Sequence, residues 1–196
     1  PFLLPLLLQL GFGLSPLQSG LVTFVAALGA LVMKPVNARL LYRYGFRSTL
    51  SANAVLAAAS IAAIALFTPA TPLWFIYPVL FIGGCLRSLQ FTSLNALAFA
   101  EIDRDRTSSA TSLSAVAQQV SLSFGVTVAV AALDASQAIG GGATLVVGDF
   151  SFAFIVVAFV SLLSAPLFLR LPPNAVAEIA GRLPPADSRM PASEAN

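Results

Sequence analysis

The side chains that could carry chemistry in this sequence are few, and most of them interrupt long apolar stretches. Arg87, Gln90 and Asn95 lie in one such stretch, and Gln118 and Ser121 lie in another. Guanidinium, amide and hydroxyl groups can hydrogen-bond a bound molecule, but they break no bond without a nucleophile and a base. The chain has no His and a single Cys, which excludes a His-based triad and a zinc site. These residues predict binding or transport, with no enzyme activity, metal or cofactor.

The composition indicates what surrounds these polar side chains. Of the 196 residues, 58% are hydrophobic and 9% are charged, whereas about 25% are charged in an ordinary soluble domain. This excludes a disordered chain, which needs low hydrophobicity and high charge. The net charge of +2 does not indicate a nucleic-acid binder, because the basic residues lie between apolar segments. We expect a polytopic α-helical membrane protein.

Apolar stretches of about 20 residues, long enough to cross a hydrocarbon core about 30 Å thick, determine the predicted fold. The fold is predicted to be all-α, with spans at 17–33, 49–67, 73–98, 110–133 and 150–169. Segment 1–10 is too short to span and begins without Met, so we interpret it as the end of a helix whose start is missing. Residues 1–170 form the predicted membrane domain, and the Pro-rich segment 171–196 forms a mobile cytoplasmic tail.

The orientation follows from the loop charges, because Lys and Arg are retained on the cytoplasmic side of a membrane. Segments 34–47 and 104–106 and the tail from 170 onward contain Lys or Arg, whereas loops 68–72 and 134–149 contain none. The basic loops alternate with the others, which places them and the C-terminus in the cytoplasm.

Aromatic residues agree with this orientation. Trp74 and Tyr77 fit an aromatic belt at the outer interface, and Tyr42 and Tyr44 fit one at the inner interface. We therefore expect an integral protein of the cell (inner) membrane with lipids as partners.

Polar residues within the spans indicate where a substrate would bind, because a polar side chain in lipid needs a partner or a water-filled path. Small and polar residues recur along one face of span 110–133 at helical spacing. The small members fit either close helix packing or a cavity wall, whereas Gln118 is predicted to line a cavity. Arg87 fits either a structural role, paired with carbonyls, a headgroup or an acid elsewhere, or a substrate or gating role. Gln90 and Asn95 fit substrate contacts.

Other residues within the spans predict helix packing. The Ala-rich span 49–67 suits tight helix packing and little else. Gly83 and Gly84 predict a close helix approach or a bend, and Pro78 and Pro166 predict kinks.

The basic segment 35–47 carries a known pattern. Its letters PVNARLLYRYGFR resemble the signature loop of the major facilitator superfamily, usually written G-R-L-x-D-R-x-G-x-R, in the copy of the C-terminal half. The matching positions of this cytoplasmic motif loop are Arg39, Leu40, Arg43, Gly45 and Arg47. Ala38 and Tyr42 replace the glycine and the aspartate, so the resemblance does not extend to the charge relay of the full motif.

Four more segments add to the resemblance. The segments LPLLLQ at 4–9 and GLSPLQSG at 13–20 resemble the end of the seventh core helix and the outer turn into the eighth. The segments RSLQFTSLN at 87–95 and SLSAVAQQVSLSFG at 112–125 are similar to the late helices of 14-span EmrB/QacA-type drug:proton antiporters. The resemblance implies the C-terminal six-helix half of a major facilitator fold, with its first helix truncated. It also implies a bacterial membrane.

The implied family function is export of drugs or other toxic amphiphilic compounds, driven by inward proton flow through alternating access. The implied partners are a drug-like substrate, protons and the missing N-terminal half, which would hold the proton-coupling acids. Substrate cavities of such transporters lie between the halves. This makes Gln90, Asn95, Gln118 and Ser121 candidate lining residues.

Two other functions remain open from the sequence. The chain could belong to a major facilitator transporter of a metabolite, or it could be a truncated membrane fragment or helix-interaction module that transports nothing. A membrane-embedded enzyme is disfavoured because no nucleophile and base pair is present.

Overall fold

The computed structural model describes residues 2–99, 107–140 and 145–170, and it describes side chains in these ranges except at 99 and 107–110. The described ranges contain helices and short connections but no strand, which confirms the all-α prediction. The predicted tail 171–196 lies outside them. The elements are α1 Leu3–Leu6, a π-helical turn Leu7–Gly11, α2 Pro16–Ile64, α3 Leu73–Phe99, α4 Thr107–Gly140, α5 Val147–Leu162 and α6 Ala165–Leu169.

Helix α2 begins at a capping box. The Gln18 backbone N–H donates to the Ser15 hydroxyl oxygen at 3.3 Å, and the Ser15 N–H donates to Gln18 Oε1 at 3.0 Å. Pro16 occupies the first helical position, where a missing N–H costs nothing. The start of α2 is therefore specified by four consecutive residues.

Helix α2 is folded back on itself at Gly45. This residue has φ 77° and ψ 164°, whereas the residues on both sides of it are helical. That combination of angles is essentially restricted to glycine. We call residues 16–44 the N-terminal arm of α2 and residues 46–64 its C-terminal arm.

The N-terminal arm runs parallel to α3. Cys85 Sγ donates to the Gly29 carbonyl at 3.2 Å, and Ser88 Oγ donates to the Ala30 carbonyl at 2.9 Å. These partners are 56 and 58 residues apart. A nearly constant separation means that both helices advance in the same direction.

The C-terminal arm runs antiparallel to α3. Asn53 hydrogen-bonds Gln90, Ser60 lies against Gly83, and the ring of Phe67 is 6.2 Å from that of Phe75, just after the start of α3. Later residues of the arm thus contact earlier residues of α3. The two arms of α2 therefore run antiparallel to each other, although the helix is interrupted only at Gly45.

Segment 35–47 was interpreted from the sequence as a loop, and that interpretation is wrong. It is helical on both sides of Gly45, including at Pro35. Ala, Arg and Leu dominate residues 38–41 and are strong helix formers. The predicted membrane boundaries of the spans stay predictions.

The two prolines predicted to cause kinks have different positions. Pro166 lies in the first turn of α6, directly after the two turn residues that separate α6 from α5, and a kink there stays a prediction. Pro78 lies inside α3, which continues past it. A bend at Pro78 stays a prediction.

The largest group of buried apolar side chains joins α1, the π-helical turn, the start of α2, the connection between α2 and α3, the start of α3, the later part of α4 and α5. Leu8, Phe150 and Phe67 are at most 1% exposed. Because lipid tails are as apolar as these side chains, we expect the core to be stabilised mainly by van der Waals packing between the helices. This core fixes one end of the helices, at the opposite end of α3 from Gly45.

Helix α4 packs against α5 near its C-terminal end and touches α3 only slightly. Ala129, Ala132 and Leu133 are buried. In contrast, every residue of 111–127 except Ser114 is exposed within the described structure. The first part of α4 therefore extends beyond its contact with α5.

One carboxylate ties α4 to α5. Ser136 of α4 donates its hydroxyl to Asp149 Oδ1 at 2.6 Å, and the Val146 backbone N–H donates to Asp149 Oδ2 at 2.9 Å. Asp149 is 7% exposed. Hydrogen bonds to charged groups contribute about 1.5–3 kcal/mol each.

We expect Asp149→Ala to lower the free energy of unfolding by about 2–3 kcal/mol, because it leaves the Ser136 hydroxyl and the Val146 N–H without their acceptor. Thermal or denaturant unfolding of the purified chain in neutral detergent measures the effect. Asp134→Ala is the matched control, because Asp134 is an exposed carboxylate on α4. Equal losses in both variants would show that the tie between α4 and α5 contributes nothing specific.

Candidate functional site

The first predicted site residue, Gln90, is held by a side chain from α2. Asn53 Nδ2 donates to Gln90 Oε1 at 2.6 Å and to the Leu86 carbonyl at 3.0 Å. Asn53 is 2% exposed and Gln90 is partly buried. The Gln90 oxygen is thus engaged between helices, which fixes the orientation of its amide group.

Asn53 was missed by the sequence interpretation, which assigned its Ala-rich span to packing and little else. That interpretation was wrong at this position. A signal was present, because an amide in an otherwise small and apolar stretch needs a hydrogen-bond partner at membrane depth. Its partner could not be identified without the register of α2 against α3.

A second buried amide lies towards the Gly45 end. Asn37, 1% exposed, donates from Nδ2 to Thr92 Oγ1 at 3.1 Å. Ser93 and Thr49 are also buried, and neither hydroxyl has a hydrogen-bond partner among the described residues. Together with Asn53 these residues form a polar layer between α3 and the two arms of α2.

Asn95 and Arg87 form no hydrogen bond to another helix among the described residues. Asn95 Nδ2 donates to the Phe91 carbonyl of its own helix at 2.9 Å. Arg87 is exposed and forms no hydrogen bond or ion pair within the described ranges. The guanidinium is therefore open to a partner from outside them, and its two predicted roles both stay open.

Gln118 and Ser121 lie on the exposed first part of α4. Ser121 Oγ donates to the Ala117 carbonyl at 2.8 Å, which satisfies its hydroxyl within the helix. A Cβ atom added at Gly125 would meet nothing within 4 Å. This face of α4 is covered by none of the described helices.

The described structure does not join the candidates on α3 to those on α4. No hydrogen bond links Gln90 or Asn95 to Gln118 or Ser121 within it, and the two helices touch only slightly. The predicted cavity thus has two walls on separate helices. Whether these residues contact a substrate stays a prediction.

The motif residues lie beside the C-terminal part of α3, where Thr92 and Ala96 line the same cavity. Arg39 and Arg43 line a cavity of about 1040 Å³ between the N-terminal arm and α3. The Arg43 guanidinium carbon is 5.7 Å from the centre of the Tyr44 ring. Gly45 makes the turn, and Arg47 follows on the C-terminal arm, partly buried.

The helices themselves identify the class of protein. Four of them, Pro16–Ile64, Leu73–Ala98, Thr111–Gly140 and Val147–Leu169, are long and apolar enough to cross a membrane. Most large apolar side chains on them are exposed, as expected when lipid rather than water is the solvent. The chain is a polytopic α-helical membrane protein.

The family follows from comparison with known proteins. The family model for the Major Facilitator Superfamily matches residues 1–191, and the chain belongs to this superfamily. Similar curated proteins carry the name "Putative multidrug resistance protein MdtD". Over 88–89% of this chain, those from Klebsiella pneumoniae, Escherichia coli and Pectobacterium atrosepticum are 31%, 33% and 34% identical to it.

The chain spans 37–38% of the length of these relatives. No solved structure matched the chain. The superfamily membership makes it a transporter-family protein of the membrane, which confirms the predicted family and fold class.

Proposed function

We propose that the chain forms the C-terminal half of a secondary transporter that exports drugs or other toxic amphiphilic compounds by proton antiport with alternating access. The similarity to proteins named for multidrug resistance supports this cargo. The observation that carries the proposal is the exposed polar face of α4. A second half would cover this face, because transporters of this kind place their substrate between two repeats.

In this proposal the substrate path lies between α4 and the missing N-terminal half. Gln118 and Ser121 contribute to one wall, and Gln90 and Asn95 contribute to a second wall on α3. Arg87 lies on the same helix as the second wall and contributes a positive charge to the path. The bond from Asn53 holds the Gln90 amide in one orientation towards the substrate.

The proton-coupling group is proposed to lie in the N-terminal half. The acids in the described ranges, Asp134 and Asp149, both lie near the junction of α4 and α5. Asp149 is already engaged by Ser136 and by the Val146 N–H. Neither carboxylate lies midway along a membrane-crossing helix, where proton relays of transporters are found.

The proposed location is the bacterial inner membrane, with the Gly45 turn and the C-terminus in the cytoplasm. The support is the set of Lys and Arg residues in segment 34–47 and the Arg residues at 170, 182 and 189. Cytoplasmic loops carry an excess of Lys and Arg.

The test uses the complete transporter, including its N-terminal half, in drug-sensitive cells. We expect resistance to several drugs and dye efflux that stops when the proton gradient is collapsed. Gln118→Ala should lower the efflux rate about 2- to 10-fold, which corresponds to one lost hydrogen bond. The matched control is Leu122→Ala, because Leu122 is also exposed on α4 but apolar.

Other outcomes contradict separate parts of the proposal. Efflux that persists without a proton gradient overturns antiport. Transport of a metabolite without any drug phenotype overturns the cargo, and no transport of either kind favours the helix-interaction module. Equal efflux in wild type and Gln118→Ala removes Gln118 from the path.

A further inference from the structure

The cavity near the Gly45 turn has a strongly one-sided charge. Three basic side chains, Lys34, Arg39 and Arg43, line it, and no acidic residue lines it among those described. All three are exposed, and none forms an ion pair within the described part of the chain. Arg39 and Arg43 are four residues apart on one helix, where like charges destabilise each other. An anion in the cavity would relieve this repulsion.

A hydroxyl group in the same cavity is positioned to assist. Thr92 Oγ1 accepts a hydrogen bond from Asn37 Nδ2, and Thr92 lines the cavity. Its oxygen is thus used as an acceptor, which leaves its own hydrogen available for another group. The cavity therefore offers several donors, which suits the oxygens of a phosphate.

The size and floor of the cavity indicate an anion with an apolar part. A volume of about 1040 Å³ is much larger than a phosphate ion needs. Leu41 and Phe46 line the cavity, are 7% and 3% exposed, and pack with Ala96. Such an apolar surface binds hydrocarbon, whereas the basic residues at the rim bind charge.

The location fits the surface of the membrane. The cavity lies beside the turn at Gly45, between two membrane-crossing helices. Tyr42 and Tyr44 are exposed there, and tyrosines concentrate at the boundary between headgroups and acyl chains. Basic pockets between helices at such a boundary bind anionic headgroups.

We propose that this cavity binds the phosphate group of an anionic phospholipid. Arg39 and Arg43 hold the phosphate oxygens, Lys34 adds the third charge, and the apolar floor takes the first part of an acyl chain. The bound lipid stabilises the packing of the N-terminal arm on α3. The inference rests only on the membrane location contained in the proposed function, not on transport or its substrate.

The test measures lipid binding to the purified chain in neutral detergent. The probes are phosphatidylglycerol and the zwitterionic phosphatidylcholine, which has no net charge, with native mass spectrometry and thermal unfolding as readouts. We expect phosphatidylglycerol to bind and to raise the unfolding temperature, because a ligand of the folded state stabilises it. Phosphatidylcholine should bind more weakly and raise the unfolding temperature less, because the three basic side chains repel its choline cation.

Two double variants remove the same amount of charge. Arg39→Gln/Arg43→Gln should weaken phosphatidylglycerol binding at least about 30-fold, because each substitution removes a charge-assisted hydrogen bond to the phosphate. Arg47→Gln/Arg170→Gln is the control, because neither residue lines the cavity, and its affinity should change less than about twofold. Equal weakening in both variants would show a general charge effect and overturn the site.

A further arm distinguishes a lipid from a free anion. Inorganic phosphate and glycerol 3-phosphate are added at the same concentrations as the lipid. If either binds as tightly as phosphatidylglycerol, the site is a soluble-phosphate site and the lipid assignment is wrong. The assay involves no transport, so its failure is separate from a failure of the drug-efflux test.

Discussion

Gly84→Ala and Gly29→Ala should each lower the free energy of unfolding by about 3 kcal/mol, the upper part of the usual range for overpacking. A Cβ atom at Gly84 would collide with the Ala26 carbonyl, and one at Gly29 would collide with the Phe81 carbonyl. Backbone atoms cannot rotate away as a side chain can. The N-terminal arm of α2 and α3 must therefore separate, which also weakens the bond from Ser88 to Ala30.

The single cysteine reports this separation directly. Cys85 is partly buried and bonds the Gly29 carbonyl, so its reaction with a maleimide dye should be slow in the native chain and much faster in both variants. Thermal unfolding in detergent gives the stability change independently. Because the chain has no other cysteine, the labelling needs no background substitutions.

Other glycines provide graded controls. Gly83→Ala should have an intermediate effect, because its Cβ would meet the Ser60 hydroxyl at 2.8 Å and that side chain can rotate. Gly20→Ala and Gly125→Ala should be neutral or slightly stabilising, since nothing lies within 4 Å and Ala favours helix. If Gly84→Ala behaves like Gly125→Ala, the close contact of the two helices is wrong.

Gly45→Ala is the second substitution with a large expected effect. The φ of 77° and ψ of 164° cost a residue with a Cβ about 1–3 kcal/mol. An alanine in this position would relax to helical angles, and an unbroken α2 of 49 residues would be about 73 Å long. That length exceeds a hydrocarbon core of about 30 Å more than twofold, so the substitution opposes the antiparallel arrangement of the arms.

Thermal unfolding and Cys85 labelling should both show the loss in Gly45→Ala. Gly45→Asn should be as damaging, because asparagine tolerates left-handed angles with ψ near 50° but not near 164°. Gly13→Ala separates strain from topology, since Gly13 also has a positive φ, of 68°, but precedes α2. A native-like Gly45→Asn would contradict the backbone conformation at this turn.

The helices could be predicted because lipid requires long apolar runs, and the close approach at Gly84 followed from its small size. The hydrogen bond between Asn53 and Gln90 could not be predicted, because it depends on the register in which α2 packs against α3. The helix through Arg39 and Arg43 was missed since charge was used to define a loop, although arginine is also a good helix former. The only sequence signal for the turn between the two arms of α2 was a single glycine, Gly45.

The roles of Gln118 and Ser121 were less predictable for a different reason. Their spacing places them on one face of α4, and the structure leaves that face uncovered. What a helical face binds depends on the surface opposite it, which is not encoded in these residues. The same holds for Arg87, whose side chain is exposed on α3.

Helix α4 is held at one end and unsupported at the other by the described helices. It is anchored near one end, where Ala132 and Leu133 pack on α5 and Ser136 bonds Asp149, while residues 111–127 extend about 25 Å beyond the anchor. A tilt of about 10° at the anchor displaces the far end by roughly 4 Å, by the geometry of a rigid rod of that length. A small change in the angle between α4 and α5 at the Ser136–Asp149 hydrogen bond would therefore produce a larger displacement of Gln118 and Ser121.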